Sequence, residues 1–163
     1  MGVVWMCRRT FRYAGSTDPD ATMLGAAQWA WLEQKLAEPA DLRLVVTSIQ
    51  FVAVGHPWER WAALPLEQSR FYQAVAAAQE TGGGGGVVLL SGDRHVGGAY
   101  RQDPGPTPHS VNNTMGYPVW EFTSSSLTHT MSNRGAGDAF SLHFARFSPL
   151  FLVFYFFVSG GLA

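Results

Sequence analysis

The sequence predicts an α/β fold built on a parallel sheet. Two short apolar runs, Leu42 to Ile49 and Val87 to Ser91, are rich in branched side chains and have the length of strands buried on both faces. The segment between them, Pro65 to Gln79, has a helix-forming composition. This order of strand, helix and strand favours a right-handed crossover between two parallel strands.

An amphipathic helix is predicted ahead of the first strand, over residues 22 to 37. Thr22 can cap its start, and Pro39 ends it. Its apolar side chains are spaced so that they form one face: Trp29, Leu32 and Leu36. The second helix, Pro65 to Gln79, carries a shorter apolar stripe made by Phe71 and Val75.

The remaining segments are predicted to be a linker, a loop and a third strand. Gly82 to Gly86 is a run of glycines that lacks the Lys-Ser/Thr ending of a phosphate-binding P-loop, so it is interpreted as a flexible linker. Gln102 to Asn113 contains three prolines and is predicted to be an exposed loop. Tyr117 to Thr123 alternates apolar and polar residues, which is typical of a strand.

Composition excludes several classes of partner. The 163 residues are 47% hydrophobic, enough for one buried core, and 11 basic residues oppose 12 acidic ones. A formal charge of -1 provides no field that would concentrate nucleic acid, so no nucleic-acid partner is predicted. The apolar run from Phe147 to Val158 is shorter than the roughly 20 residues that span a bilayer, so no membrane span is predicted.

The segment Gly92-Asp93-Arg94-His95 directly follows a predicted strand. Ligands of open α/β sheets bind beyond the carboxyl ends of the strands. In an extended loop, side chains two residues apart point the same way, so Asp93 and His95 would address one site while Arg94 faces elsewhere. A carboxylate together with an imidazole suits zinc, iron or manganese. The alternative is a simple turn in which Asp93 caps backbone groups.

Further motifs surround this segment in a fixed order along the chain. They are Arg9-Thr10-Phe11-Arg12, Leu24 to Leu32, Ser48-Ile49-Gln50, Trp58-Glu59-Arg60-Trp61, Gly92-Asp93-Arg94-His95 and Thr123-Ser124-Ser125. Over roughly residues 6 to 134, this series resembles the PhoD-like alkaline phosphatases of the metallophosphoesterase superfamily. Several ordered motifs at plausible spacing are far more specific than any one of them.

The resemblance implies part of a calcineurin-like αββα sandwich. Its loops would hold two metal ions, drawn from iron, zinc, manganese or calcium, and it would hydrolyse small-molecule phosphate mono- or diesters. The C-terminal part of such a domain would occupy residues 1–134. Residues 135–163 form an atypical hydrophobic tail, which is expected to be buried because exposed aromatic patches promote aggregation.

By analogy with the family, Asp93 and His95 are predicted to be metal ligands, and His56 is a further candidate ligand. Gln50 could be a ligand or orient a water, and Arg94 could bind the substrate phosphate through its forked donors.

Each of these last roles has a structural alternative. The Gln50 amide could satisfy backbone groups at a strand end, and His56 could pack beside Trp58 in a block of aromatic core. Arg94 could form a salt bridge with Glu59 or Glu121.

The ligands that complete relatives supply from upstream loops have no counterpart here. Neither an Asp-x-His nor an Asn-His-Asp pattern occurs before residue 92. The chain as given is therefore predicted to be an incomplete and inactive part of a phosphohydrolase. The alternatives are a non-catalytic remnant of the fold and a module that binds phosphate or metal.

Overall fold

A computed structural model describes residues 2–6, 22–54, 57–107 and 110–125 of the chain. It contains two α-helices, α1 (Gly25–Ala37) and α2 (Pro65–Ala78), within these residues. The strands are β1 (Gly2–Met6), β2 (Leu42–Thr47), β3 (Gly86–Ser91), β4 (Gly97–Gln102), β5 (Gly105–Thr107), β6 (Ser110–Asn113) and β7 (Val119–Ser124). This mixture of helices and strands confirms the predicted α/β class.

The main sheet has five strands in the order β1, β2, β3, β7, β4. The first four are parallel, and β4 is an antiparallel edge strand paired with β7. The last of the described strands in sequence, β7, therefore lies between two strands that precede it. Strands β5 and β6 pair with each other in a separate antiparallel ribbon. The carboxyl ends of the four parallel strands consequently share one edge of the sheet.

One face of the sheet packs against both helices. In the β2 to β3 register Val45 pairs with Leu89, and both belong to the main hydrophobic core. The helix residues in this core include those predicted from the apolar spacing, namely Trp29, Leu32, Leu36, Phe71 and Val75. The predicted helix faces are thus confirmed, because burying one apolar stripe of each helix explains that spacing.

A buried carboxylate ties the starts of the two helices together. Glu67, in the first turn of α2, accepts hydrogen bonds from the backbone N–H groups of Met23 (2.5 Å) and Leu24 (3.2 Å). It also accepts from the indole N–H of Trp29 (2.6 Å) and the hydroxyl of Thr22 (2.6 Å). Met23 and Leu24 precede α1 and are buried, so this carboxylate satisfies N–H groups that burial would otherwise penalise.

The opposite face of the sheet is also apolar. Val46, Leu90 and Phe122 are aligned across β2, β3 and β7, and they lie outside the main core cluster. Beside them Trp120 remains 39% exposed, and its ring stacks on Phe122 with centroids 6.3 Å apart. Apolar residues on both faces are typical of a parallel sheet that is covered on both sides.

The glycine run has a structural role that differs from the predicted flexible linker. Its first residues complete a helical turn over Gln79–Gly83, and Gly86 begins β3. Gly85 adopts a φ of +133°, and a Cβ there would lie 2.0 Å from the carbonyl oxygen of Ala40. Only glycine fits such a close approach of two backbones.

Four strands were not predicted from the sequence, namely β1, β4, β5 and β6. The predicted loop from Gln102 to Asn113 contains the β5 and β6 ribbon, and β4 begins with Gly97 and Gly98, which have weak strand propensity. Among the described helices, none is long and apolar enough to cross a bilayer. The predicted boundary at residue 134 and the apolar tail lie outside the described residues.

Candidate functional site

The loop that carries Asp93 and His95 bridges two strands across a third. It joins the end of β3 at Ser91 to the start of β4 at Gly97, and β7 lies between these strands. The loop must therefore cover about two strand spacings, or roughly 10 Å, over the end of β7. This path places Asp93 and His95 at the carboxyl edge of the parallel strands, where the sequence predicted them.

The backbone of this loop is curled, which corrects the extended conformation assumed from the sequence. Asp93 has a φ of 70° and His95 has a φ of 55°, and both values lie in the left-handed region. Asp and His enter this region more readily than most residues with a side chain. Alternation along an extended strand therefore does not determine where these side chains point.

Asp93 and His95 nevertheless line one cavity, with a volume of about 380 Å³. Arg94 lines it too, instead of facing elsewhere as the alternation argument predicted. The other wall comes from the segment that precedes the short helical turn at Trp61, namely Pro57, Trp58 and Glu59. Two segments separated by more than thirty residues of sequence thus meet at the candidate site.

The two tryptophans of the predicted aromatic block have different environments. Trp61 is fully buried, and its indole N–H donates to the hydroxyl of Thr47 at 2.9 Å, so it packs as predicted. Trp58 is 53% exposed and lines the cavity, which corrects the prediction of a buried core residue. The guanidinium carbon of Arg94 lies 5.6 Å from the centroid of its ring.

The charges around the cavity favour a cation. Glu59 and Asp93 supply two carboxylates, whereas Arg94 supplies one guanidinium. These three side chains give the lining an excess of negative charge. A phosphate anion would be repelled by the carboxylates unless a bound cation compensated them.

Ser125 binds the backbone of the loop that carries Asp93 and His95. Its hydroxyl oxygen accepts a hydrogen bond of 2.8 Å from the backbone N–H of His95. Sequence reasoning missed this contact, although the serines that follow the predicted strand Tyr117 to Thr123 are at the same sheet edge. Ser125 thus serves as a backbone anchor for a candidate metal ligand.

Gln50 lies in a buried polar layer at the same edge. It is 1% exposed, and its amide nitrogen donates to the hydroxyl of Thr123 at 2.9 Å. That hydroxyl is in turn 2.9 Å from the hydroxyl of Ser91. The amide oxygen of Gln50 is buried without a partner in the described part of the chain, and Gln50 is not among the residues that line the cavity.

Glu121 fixes the loop that follows β2. This fully buried side chain accepts hydrogen bonds from the backbone N–H groups of Phe51 (2.8 Å), Val52 (2.7 Å) and Ala53 (3.2 Å). Burial raises the pKa of Glu121, while its hydrogen bonds with Ser91 and these three amides act in the opposite direction. The sequence offered Glu121 as a partner for Arg94, but the contacts place it with this loop.

Comparison with known proteins identifies the family. The model of the PhoD-like phosphatases matches residues 6–148. The chain belongs to this family. It is also similar to the solved structure of PhoD, with 21% identity and a TM-score of 0.50. That similarity covers 67% of this chain and 21% of PhoD. A comparison with curated proteins found no match.

The remaining site prediction for this PhoD-like chain concerns His56. This residue lies outside the described residues, although the cavity includes its neighbour Pro57. The described part of the chain therefore presents one predicted imidazole ligand, that of His95.

The donor types at the PhoD-like site fit a metal ion. Asp93 offers a carboxylate and His95 an imidazole, both exposed and both facing one cavity. Within residues 2–6, 22–54, 57–107 and 110–125, no group of three or more His, Cys, Asp or Glu side chains comes together. The described residues therefore offer two candidate donors, fewer than a complete metal site needs.

Proposed function

We propose that this chain contributes to the metal-dependent hydrolysis of phosphate mono- or diesters, with Asp93 and His95 as metal ligands. The observation that carries the proposal is that both side chains line one cavity at the carboxyl edge of a parallel sheet. Membership in a family of phosphatases supports a phosphate ester as the substrate. Zinc, iron, manganese and calcium remain the candidate ions.

Three residues of the β3 to β4 loop have a role in this proposal. Asp93 and His95 would hold the ion through a carboxylate oxygen and an imidazole nitrogen. Arg94 would donate hydrogen bonds to phosphate oxygens, a task that suits its planar fork of N–H groups. When bound, a metal ion at such a site polarises the phosphoryl group and lowers the pKa of a coordinated water.

We further propose that the 163-residue chain by itself has little phosphatase activity. A two-metal site needs several protein ligands for each ion, and Asp93 and His95 alone do not supply them. His56 is a third candidate. The chain spans 21% of PhoD, so the remaining ligands of an active site would come from other parts of a longer protein.

Metal binding by the purified chain tests the ligand assignment. Asparagine is the appropriate replacement for both residues because it tolerates the left-handed backbone found at Asp93 and His95. We expect Asp93→Asn and His95→Asn each to weaken Zn²⁺ or Mn²⁺ binding about tenfold or more in calorimetric titrations. Asp103→Asn is the matched control, because Asp103 is an exposed carboxylate that pairs with Arg101 away from the cavity.

Hydrolysis of p-nitrophenyl phosphate and its bis-ester tests the activity. We expect turnover near background with zinc, iron, manganese or calcium added. Metal-dependent turnover that both asparagine variants abolish would refute inactivity while supporting the ligand assignment. Unchanged metal affinity in both variants would refute the assignment itself.

A further inference from the structure

Building on the proposed function, we propose that Trp58 binds the organic group of the substrate, so that the site prefers phosphate esters of aromatic groups to those of short alkyl groups. The proposal concerns substrate class within the cavity that Asp93 and His95 line. It assigns Trp58 a binding role in place of the packing role predicted from the sequence.

The exposure of Trp58 is the first observation. At 53% it is the most exposed large hydrophobic side chain in the described part of the chain, whereas Trp29 and Trp61 are buried in the core. An indole left in contact with water is unfavourable, and its covering by an apolar ligand surface recovers that free energy. Trp58 shares its cavity with charged side chains, so a ligand with both an aromatic and a charged group could contact both kinds of residue.

The position of Arg94 is the second observation. Its guanidinium lies over the ring of Trp58 at 5.6 Å from the centroid, a distance at which a cation is attracted to the face of an indole. Arg94 also lies between Asp93 and His95 in the loop. A phosphate held by Arg94 and a metal-bound loop would therefore have its ester group directed to the neighbourhood of the Trp58 ring.

The size of the cavity and the strength of stacking make the preference measurable. About 380 Å³ falls within the range of small-molecule sites and is sufficient for an aryl phosphate. Stacking of one aromatic ring on a protein aromatic side chain corresponds to roughly tenfold in affinity or more. A methyl group offers no comparable contact.

Two phosphonates that cannot be hydrolysed at their carbon to phosphorus bond isolate the effect of the ring. We expect the Zn²⁺-loaded chain to bind phenylphosphonate about tenfold more tightly than methylphosphonate in calorimetric titrations. Trp58→Leu should reduce this preference to about twofold or less, by lowering phenylphosphonate affinity more than methylphosphonate affinity, because leucine cannot stack. Trp58→Phe should retain most of the preference, since it keeps an aromatic ring.

Trp31→Leu is the matched control. Trp31 is 37% exposed on α1 and does not line the cavity, so its replacement should change neither affinity. Circular dichroism of every variant verifies that the fold is retained. Equal affinities for the two phosphonates in the wild type, or an equal loss of both in Trp58→Leu, would overturn the proposal. Failure of either phosphonate to bind the Zn²⁺-loaded chain would also overturn it.

The same titrations separate this proposal from the one on which it rests. If Asp93→Asn leaves Zn²⁺ affinity unchanged, the proposed metal ligands are wrong. If Asp93→Asn abolishes Zn²⁺ binding while the wild type shows no preference for phenylphosphonate, the metal site stands and the role of Trp58 is refuted.

Discussion

Two of the loops at the carboxyl edge of the sheet, those after β2 and β3, are held in different ways. The loop after β2 is buried at Phe51, Val52 and Ala53, and the Glu121 carboxylate binds all three of their backbone amides. The loop after β3 exposes Asp93 and His95, and its His95 amide donates to the hydroxyl of Ser125. A buried, rigid support thus lies beside an exposed segment that carries the candidate ligands.

The largest expected effect is on the rigid loop. Glu121→Gln replaces one acceptor oxygen with an N–H₂ group that faces backbone donors, and burial prevents water from compensating. We expect a loss of about 2 to 3 kcal/mol in the free energy of unfolding, measured by urea denaturation. The exposed carboxylate of Asp103 provides the control, since Asp103→Asn should cost less than about 0.5 kcal/mol. Similar losses for both variants would show that the Glu121 contacts do not hold the loop.

The same carboxyl group predicts a pH dependence. Burial raises the pKa of Glu121 above the ordinary value of 4.5, so the folded protein binds this proton more tightly than the unfolded chain does. The contribution of Glu121 to the free energy of unfolding is therefore complete below the pKa that this side chain has in the unfolded chain. It is lost as the pH rises through the pKa that Glu121 has in the folded protein. The stability difference between wild type and Glu121→Gln should narrow over that range in denaturation measured at several pH values. A difference that widens with pH would mean that the folded state favours the ionised carboxylate.

In the loop after β3, the stability cost of a substitution should depend on the backbone conformation of the substituted residue and not on burial of its side chain. Asp93→Val places a β-branched residue at a φ of 70°, which should cost about 1 to 2 kcal/mol of stability. Asp93→Asn should cost almost nothing because asparagine accepts this conformation. Thermal unfolding of both variants, with Asp103→Val as a control outside the left-handed region, distinguishes the two effects. Equal destabilisation by valine and asparagine at position 93 would contradict the conformational explanation.

The smallest effect on stability is expected at the anchor of this loop. Ser125→Ala removes the acceptor of the His95 amide, but the loop is exposed, so water can replace it. We expect a cost below about 1 kcal/mol together with faster hydrogen exchange of the His95 amide, observed by NMR. Ser69→Ala, on the exposed side of α2, should leave that exchange rate unchanged. An unchanged rate in Ser125→Ala would remove Ser125 from its anchoring role.

The sequence predicted best what depends on local patterns. The spacing of Trp29, Leu32 and Leu36 predicted α1 and its buried face, and the apolar runs predicted β2 and β3. Strand β4 was missed because Gly97 and Gly98 have little strand propensity. The position of β4 in the sheet depends on its pairing with β7, a strand that begins only at Val119.

Only part of the candidate site could be predicted, because its geometry also depends on residues that are far apart in the sequence. A short motif beyond a strand was enough to select Asp93 and His95. The left-handed backbone at both residues could not be read from their types, since most Asp and His residues avoid that region. The meeting of Trp58 with Arg94 depends on how two distant segments cross the sheet edge, which no local pattern records.

The insertion of β7 between β3 and β4 also orders events during folding. Both neighbours of β7 emerge before it from the ribosome, so neither can complete its pairing within the sheet until β7 arrives. Pairing at such sequence separation is slow because a long segment must close first. Glu121 belongs to β7, and Ser125 directly follows it. The side chains that bind the backbones of both loops therefore become available at the same time. The candidate site should therefore assemble only after β7 has joined the sheet.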